Sequence, residues 1–326
     1  MHGRNFLLAV TLVAAATVPA WGQASSGAQG APSIPDFSGI WARVSFPGFG
    51  RPLAGAGPVI NKNRSLNGVP SFADARPLIN KNRSPNGVPS AYGYVGDYTN
   101  PILKPWAAEI VKKRGESELG GAHAPSPRTQ CWPGGVPFVF TNVGMQLFQQ
   151  PDKITIFYSD DHEVRFVRMN ESHPARLTPS WYGHSVAHYE GDTLVIDTVG
   201  IKIGPFAMVD AYGTPHSPAL HAVERYRLLD YEAAKEAEER GEKENFGVPV
   251  ADSGIARDLE YKGKGFQLHF TVEDEGVFTT PWSATVTYRR PSVPLGQWPE
   301  LVCAENANGY NHGKKAAVPT ADKPDF

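Results

Sequence analysis

The sequence predicts a mainly β protein: an antiparallel meander, closed into a barrel, with one or two peripheral helices. Three observations predict it. Short runs of alternating apolar and polar residues recur from Cys131 onward, the pattern of strands that bury one face. Turn signals rich in Gly, Pro, Asn and Asp separate these runs at intervals too short for crossover helices. A chain of 326 residues is also long enough to bury a full core. Closure would remove the exposed sheet edges. A two-sheet sandwich is the competing arrangement, because periodicity alone does not separate the two.

Residues 1–24 read as a signal peptide. Met1–Asn5 is short and polar, Phe6–Val18 is apolar, and small residues place cleavage after Ala20 or Ala24. The apolar run is too short for a stable membrane span. The expected location is therefore periplasmic or secreted, with no membrane span after cleavage. Residues 25–130 should supply an N-terminal strand, loops and a helix packed on the barrel. Residues 131–305 should form the main β domain, and 306–326 a tail. Asp36–Trp41 reads as the first strand. The segment Ile60–Ser71 recurs as Ile79–Ser90, and Asn-Gly and Val-Pro make each copy a loop. It reads as a local surface duplication or as a flap over a ligand.

Asn100 and Pro101 predict a helix over 101–113, a capping residue followed by a first-turn proline. Its apolar face would be Ile102, Leu103, Trp106 and Ile110. The strand pattern then covers Phe138–Thr141, Met145–Gln150, Lys153–Tyr158, Val164–Met169, His221–Leu228, Phe266–Val272 and Ser283–Arg289. Asp230–Gly241 interrupts it as a short polar helix on the surface, capped by Asp230.

Cys131 and Cys303 are the only cysteines. An even pair in an exported chain suggests one disulfide, with two unrelated buried thiols as the alternative. The formal net charge of −2 and the lack of a basic tract give no case for a nucleic-acid partner. No phosphate-binding loop or dinucleotide glycine fingerprint is present, so no cofactor is implied. The partner to expect is a small molecule.

The densest chemistry lies in Pro179–Thr198. Alternation puts His184, Val186 and His188 on one strand face and Ser185, Ala187 and Tyr189 on the other. With Glu190-Gly191 as the whole turn, His184 would face Asp197, His188 would face Thr193, and Val186 would face Val195. The His184–Asp197 pair would orient and charge-tune an imidazole, with Tyr182 as a second acid. On the next strand His221 and Arg225 share a face, with Glu224 and Tyr226 opposite; Arg225 would hold an anion if its face pointed inward. His162 and Arg165 lie where a hairpin tip or a pocket mouth would present them. His216 and His221 flank Pro218 and, with a hairpin histidine, would make a three-histidine metal site. On a regular strand, however, His184 and His188 are too far apart to share one ion.

These segments carry a resemblance. Asp36–Trp41, Pro151–Tyr158, Asp161–Arg165, Trp181–Ser185, Glu190–Thr198 and Pro215–His221 are similar to a widespread group of exported bacterial β-rich proteins. That group shows an Asp-x-Ser-Gly-x-Trp start and a Trp-Tyr-Gly-His-Ser core. Tyr189 stands where tryptophan is expected. Gly39-Ile40-Trp41 is also similar to the Gly-x-Trp feature of lipocalins. The likeness implies export and a β fold, and supplies no reaction.

Two functions are consistent with these residues. One is a periplasmic enzyme using His184, Asp197 and Tyr182 in acid–base hydrolysis, elimination or isomerisation of a small polar or aromatic molecule. His162, Arg165, His188, His216, His221 and Arg225 would bind its substrate. The other is a lipocalin-like binder with an apolar cavity lined by Trp41, Phe138, Phe140 and Phe148. A histidine-ligated metalloenzyme is a further alternative.

Overall fold

The computed structural model describes residues 34–43, 48–62, 95–119, 124–160, 163–244, 260–291 and Cys303. The expected signal peptide, most of the duplicated segment, His162 and the C-terminal tail lie outside the described residues.

Nine strands close into one barrel. They are β1 (Gly39–Arg43), β2 (Gly144–Gln149), β3 (Lys153–Tyr158), β4 (Val164–Met169), β5 (His184–Glu190), β6 (Thr193–Val199), β7 (His221–Leu229), β8 (Gly265–Glu273) and β9 (Trp282–Arg289). Consecutive strands pair antiparallel, and β9 returns to β1. Closure sets aside the sandwich. One joint departs from a simple meander: β4 and β5 are parallel. Asn170 leaves β4 with a φ of 57°, and its N–H donates to the Ala187 carbonyl at 2.6 Å. Residues 170–183 then return to the end where β4 began, carrying His173 with them.

The interior is filled by side chains. Trp41 stacks on Phe266 at 4.9 Å between ring centres, and Tyr226 stacks on the same ring at 5.2 Å. Such pairs add about 0.5–1.5 kcal/mol each beyond area burial. Phe140 and Trp282 pack on Phe270. Of the four residues expected to line a cavity, Trp41, Phe138 and Phe140 are core residues, whereas Phe148 is exposed on the outer surface. Phe138–Thr141 is a 3₁₀ turn and not the expected strand.

A fully buried ion pair crosses this interior. Arg165 on β4 donates Nη1 to Glu224 Oε2 at 2.9 Å and Nη2 to Glu224 Oε1 at 2.6 Å. Its Nε and Nη2 reach Ser185 Oγ on β5, and Nη2 also reaches Thr198 Oγ1 on β6. Tyr226 completes the set, donating its hydroxyl to Glu224 Oε2 at 2.7 Å. Bidentate geometry and these added bonds offset the desolvation of both charges. Arg165 is thus committed inside the protein and is not at a pocket mouth.

The first helix, α1 (Pro105–Leu119), starts later and runs longer than expected. Asn100 instead closes a turn, its Oδ1 accepting the Ile102 N–H at 3.1 Å. The buried stripe is Ala107, Val111, Gly115 and Glu118, while Trp106 and Ile110 are exposed. Small residues explain the difference, because they admit close approach: a Cβ on Gly115 would sit 3.0 Å from Val95. The second helix, α2 (Tyr231–Glu244), is capped by Asp230, whose Oδ1 accepts the Ala233 N–H at 2.8 Å. Its Ala234 is buried against Gly265 of β8, so this helix packs on the barrel. Cys131 and Cys303 form a disulfide with a Cα separation of 5.4 Å. Among the described residues, no helix is long and apolar enough to cross a membrane.

The buried pair yields a stability test. Arg165→Met strands the Glu224 carboxylate and should cost about 3–5 kcal/mol in urea unfolding. The double variant Arg165→Met/Glu224→Leu should recover much of that loss. A single variant as stable as the parent would contradict the assignment.

Candidate active site

The β5–β6 turn is Gly191-Asp192, and Glu190 pairs with Thr193. Gly191 takes a φ of 62°, the left-handed conformation that a two-residue hairpin turn requires at its first central position. The register is therefore offset by two residues from expectation. Val186 faces Asp197, His188 faces Val195, and His184 faces Val199. A two-residue offset preserves the face, so Asp197 stays on the His184 side of the sheet. The expected direct His184–Asp197 contact is replaced by a relay.

His173, from the β4–β5 connection, forms that relay. Its Nε2 lies 3.0 Å from Asp197 Oδ1, and its Nδ1 lies 2.9 Å from His184 Nδ1. From the other side His221 Nε2 lies 3.0 Å from the same Asp197 oxygen. His221 Nδ1 points to Glu273 Oε2 at 3.5 Å. The array His184–His173–Asp197–His221–Glu273 crosses the outer wall of the barrel from β5 to β8. Asp197 accepts only, so both Nε2 atoms facing it carry protons. His173 Nδ1 then accepts from His184 Nδ1–H, and the lone pair of His184 falls on Nε2.

The two ends of the array are tuned in opposite directions. Partial burial, reinforced by Arg168 and His173, holds His184 below the ordinary imidazole value of 6.5. The bond to Asp197 holds His221 above it, against the opposing effect of burial. Asp197 is held below the usual carboxylate range, chiefly by His221. A pair of like groups with pKa values pushed apart is the arrangement that assigns one as base and the other as acid.

The remaining expected residues are dispersed. Gly183, with a φ of 67°, breaks the strand before His184, and a Cβ there would meet the Val199 carbonyl at 2.6 Å. The break turns Tyr182 away from the array, to stack 6.4 Å from Tyr158 beside Glu163. Burial and the Glu163 carboxylate raise the Tyr182 pKa far above its ordinary value. Burial likewise raises Glu163, although its Oε1 accepts the Gly134 N–H at 2.7 Å. Glu163, directly before β4, is not singled out in the sequence. Arg225 points outward and pairs with Glu190 at 2.6 Å, so it holds no anion inside the barrel. His188 is exposed and also meets Glu190. His216 is buried in a narrow cleft with Trp132, Trp181, Phe206 and Lys202, so it does not join His221 and a hairpin histidine in one site. Ser185, bonded to Arg165, is buried behind the array. Among the described residues, no group of three or more His, Cys, Asp or Glu side chains is disposed to hold a metal ion.

Comparison with protein-family models, curated proteins and solved structures finds no match to this chain.

The opposed shifts are measurable by ring ¹⁵N NMR titration. His221 should titrate above 6.5 and His184 below it. Asp197→Asn should lower the His221 value. The contact also carries a stability signature. The raised His221 stabilises fully below its unfolded value, and that contribution fades as pH rises through its folded pKa. The lowered Asp197 stabilises above its unfolded value, and that contribution fades as pH falls through its folded pKa. Indistinguishable titrations for the two imidazoles would contradict the array.

Proposed function

We propose that the protein is an exported acid–base enzyme acting on a small polar molecule by hydrolysis, elimination or isomerisation. The observation that carries this reading is the single carboxylate, Asp197, bonded to two imidazoles whose chain ends in His184 on one side and Glu273 on the other. The signal-like N-terminus and the disulfide support export.

In this reading His184 Nε2 is the base. It takes a proton from the substrate or from an attacking water, and the His184 imidazolium is held through Nδ1–H by His173. His173 is fixed in turn by Asp197, a positioning role like that of the carboxylate in a catalytic triad. His221 is the acid. Its Nδ1–H, held loosely by Glu273, passes to the leaving group or to the carbon that receives the proton. His184 and His221 lie on strands either side of β6, about 10 Å apart by strand spacing, with His173 and Asp197 linking them. Tyr182 belongs to the Glu163 cluster and has no direct part in this chemistry.

A panel of activated esters, lactones and β-hydroxy carbonyl compounds supplies the assay. kcat/KM should be bell-shaped in pH, with the acid limb set by His184 and the alkaline limb by His221. His184→Gln should lower kcat by about 10²–10⁴-fold with little change in binding. His221→Gln should remove the alkaline limb. Full turnover in His184→Gln would sink the proposal.

A further inference from the structure

Arg43 ends β1 on the inward face that it shares with Trp41, opposite Tyr288 of β9. It is 2 % exposed. Its Nη2 donates to the Gly48 carbonyl, and its guanidinium lies 5.6 Å over the Phe49 ring. The Nε and Nη1 atoms are buried and have no acceptor among the described residues. Burial lowers the Arg43 pKa to about 10, so the group stays cationic at neutral pH.

Among the described residues, no carboxylate pairs with Arg43. The groups among them that act most on Arg43 electrostatically are Tyr288, Arg128 and Tyr212. Burial pushes the Tyr288 phenol far up, so it stays protonated. Arg128 adds a second positive charge, which Asp160 neutralises at 2.6 Å. Asn142 directly precedes Val143, whose carbonyl accepts the Arg43 backbone N–H. The Asn142 Oδ1 accepts from Arg128 Nη2 at 2.6 Å, and its Nδ2 is buried without a partner among the described residues. The uncommitted buried atoms of Arg43 and Asn142 are thus all donors. An unpaired buried cation is among the costliest groups a fold can carry, and a bound anion relieves that cost. One uncompensated positive charge calls for one negative charge.

We propose that Arg43 Nε and Nη1 bind a small monovalent anion inside the barrel, either a halide or a carboxylate. The site is independent of the outer-wall histidines.

Thermal unfolding of the whole protein tests it, with sodium gluconate replaced stepwise by chloride, bromide or formate at constant ionic strength. Tm should rise by about 5 °C over a hundredfold increase of the anion that binds. A response to the halides alone assigns a halide, and a response to formate alone a carboxylate. Arg43→Gln should abolish the rise, whereas Arg227→Gln, a change on the exposed surface, should retain it. Crystals soaked in bromide or in an anomalously scattering halogenated acetate test the same atoms without a variant. They should show anomalous density beside Arg43, with bromide or the carboxylate oxygens within about 3.5 Å of Nε or Nη1. A flat Tm in every anion, an equal rise in Arg43→Gln, or density absent from Arg43 in both soaks would overturn the proposal.

Discussion

A guanidinium and a carboxylate share the interior of this barrel, and neither is tolerable there alone. Arg165 and Glu224 are both fully buried, and the bonds around them join β4, β5, β6 and β7. Those four strands include the parallel joint, where the pattern of a simple meander is broken. The pair fixes which face of each strand points inward. With Ser185, Thr198 and Glu224 inside, the alternate positions His184, Asp197 and His221 must lie outside. The histidine array on the outer wall is thus a consequence of the ion pair within.

This arrangement separates a buried, mutually bonded network from a partly exposed array. Groups that would be reactive if free are held on the inner face by mutual bonding: Ser185 accepts from Arg165, and Tyr226 donates to Glu224. The outer-face groups are partly exposed and connected in series, with Asp197 between imidazoles of opposite tuning. His173 reaches this series only because residues 170–183 return along the barrel to begin β5 parallel to β4.

Strand parity was legible in the sequence, but its sense was not. Alternation grouped His184 with His188, and Glu224 with Tyr226, as the structure does. It did not say which group faces inward, because the inner face carries Arg165, Ser185, Thr198 and Glu224 while the outer face carries Val186, Val195 and Val199. Apolar content therefore points the wrong way along these strands. The hairpin register was offset because Glu190-Gly191 and Gly191-Asp192 are both plausible two-residue turns, and the strand pairing selects the second. His173 lay in a segment without periodicity, so nothing local tied it to Asp197. The α1 stripe was misplaced for a related reason: Ala107 and Gly115 are buried for their small size, while the larger Trp106 and Ile110 stay at the surface.

The central claim is that His184 and His221 act as one unit through Asp197. A double-mutant cycle on kcat/KM tests it most directly, using His184→Gln, His221→Gln and the combined variant on one responsive substrate. The account predicts strong non-additivity, with the double variant little slower than the worse single variant. Losses that simply add, or single variants as active as the parent, would contradict it.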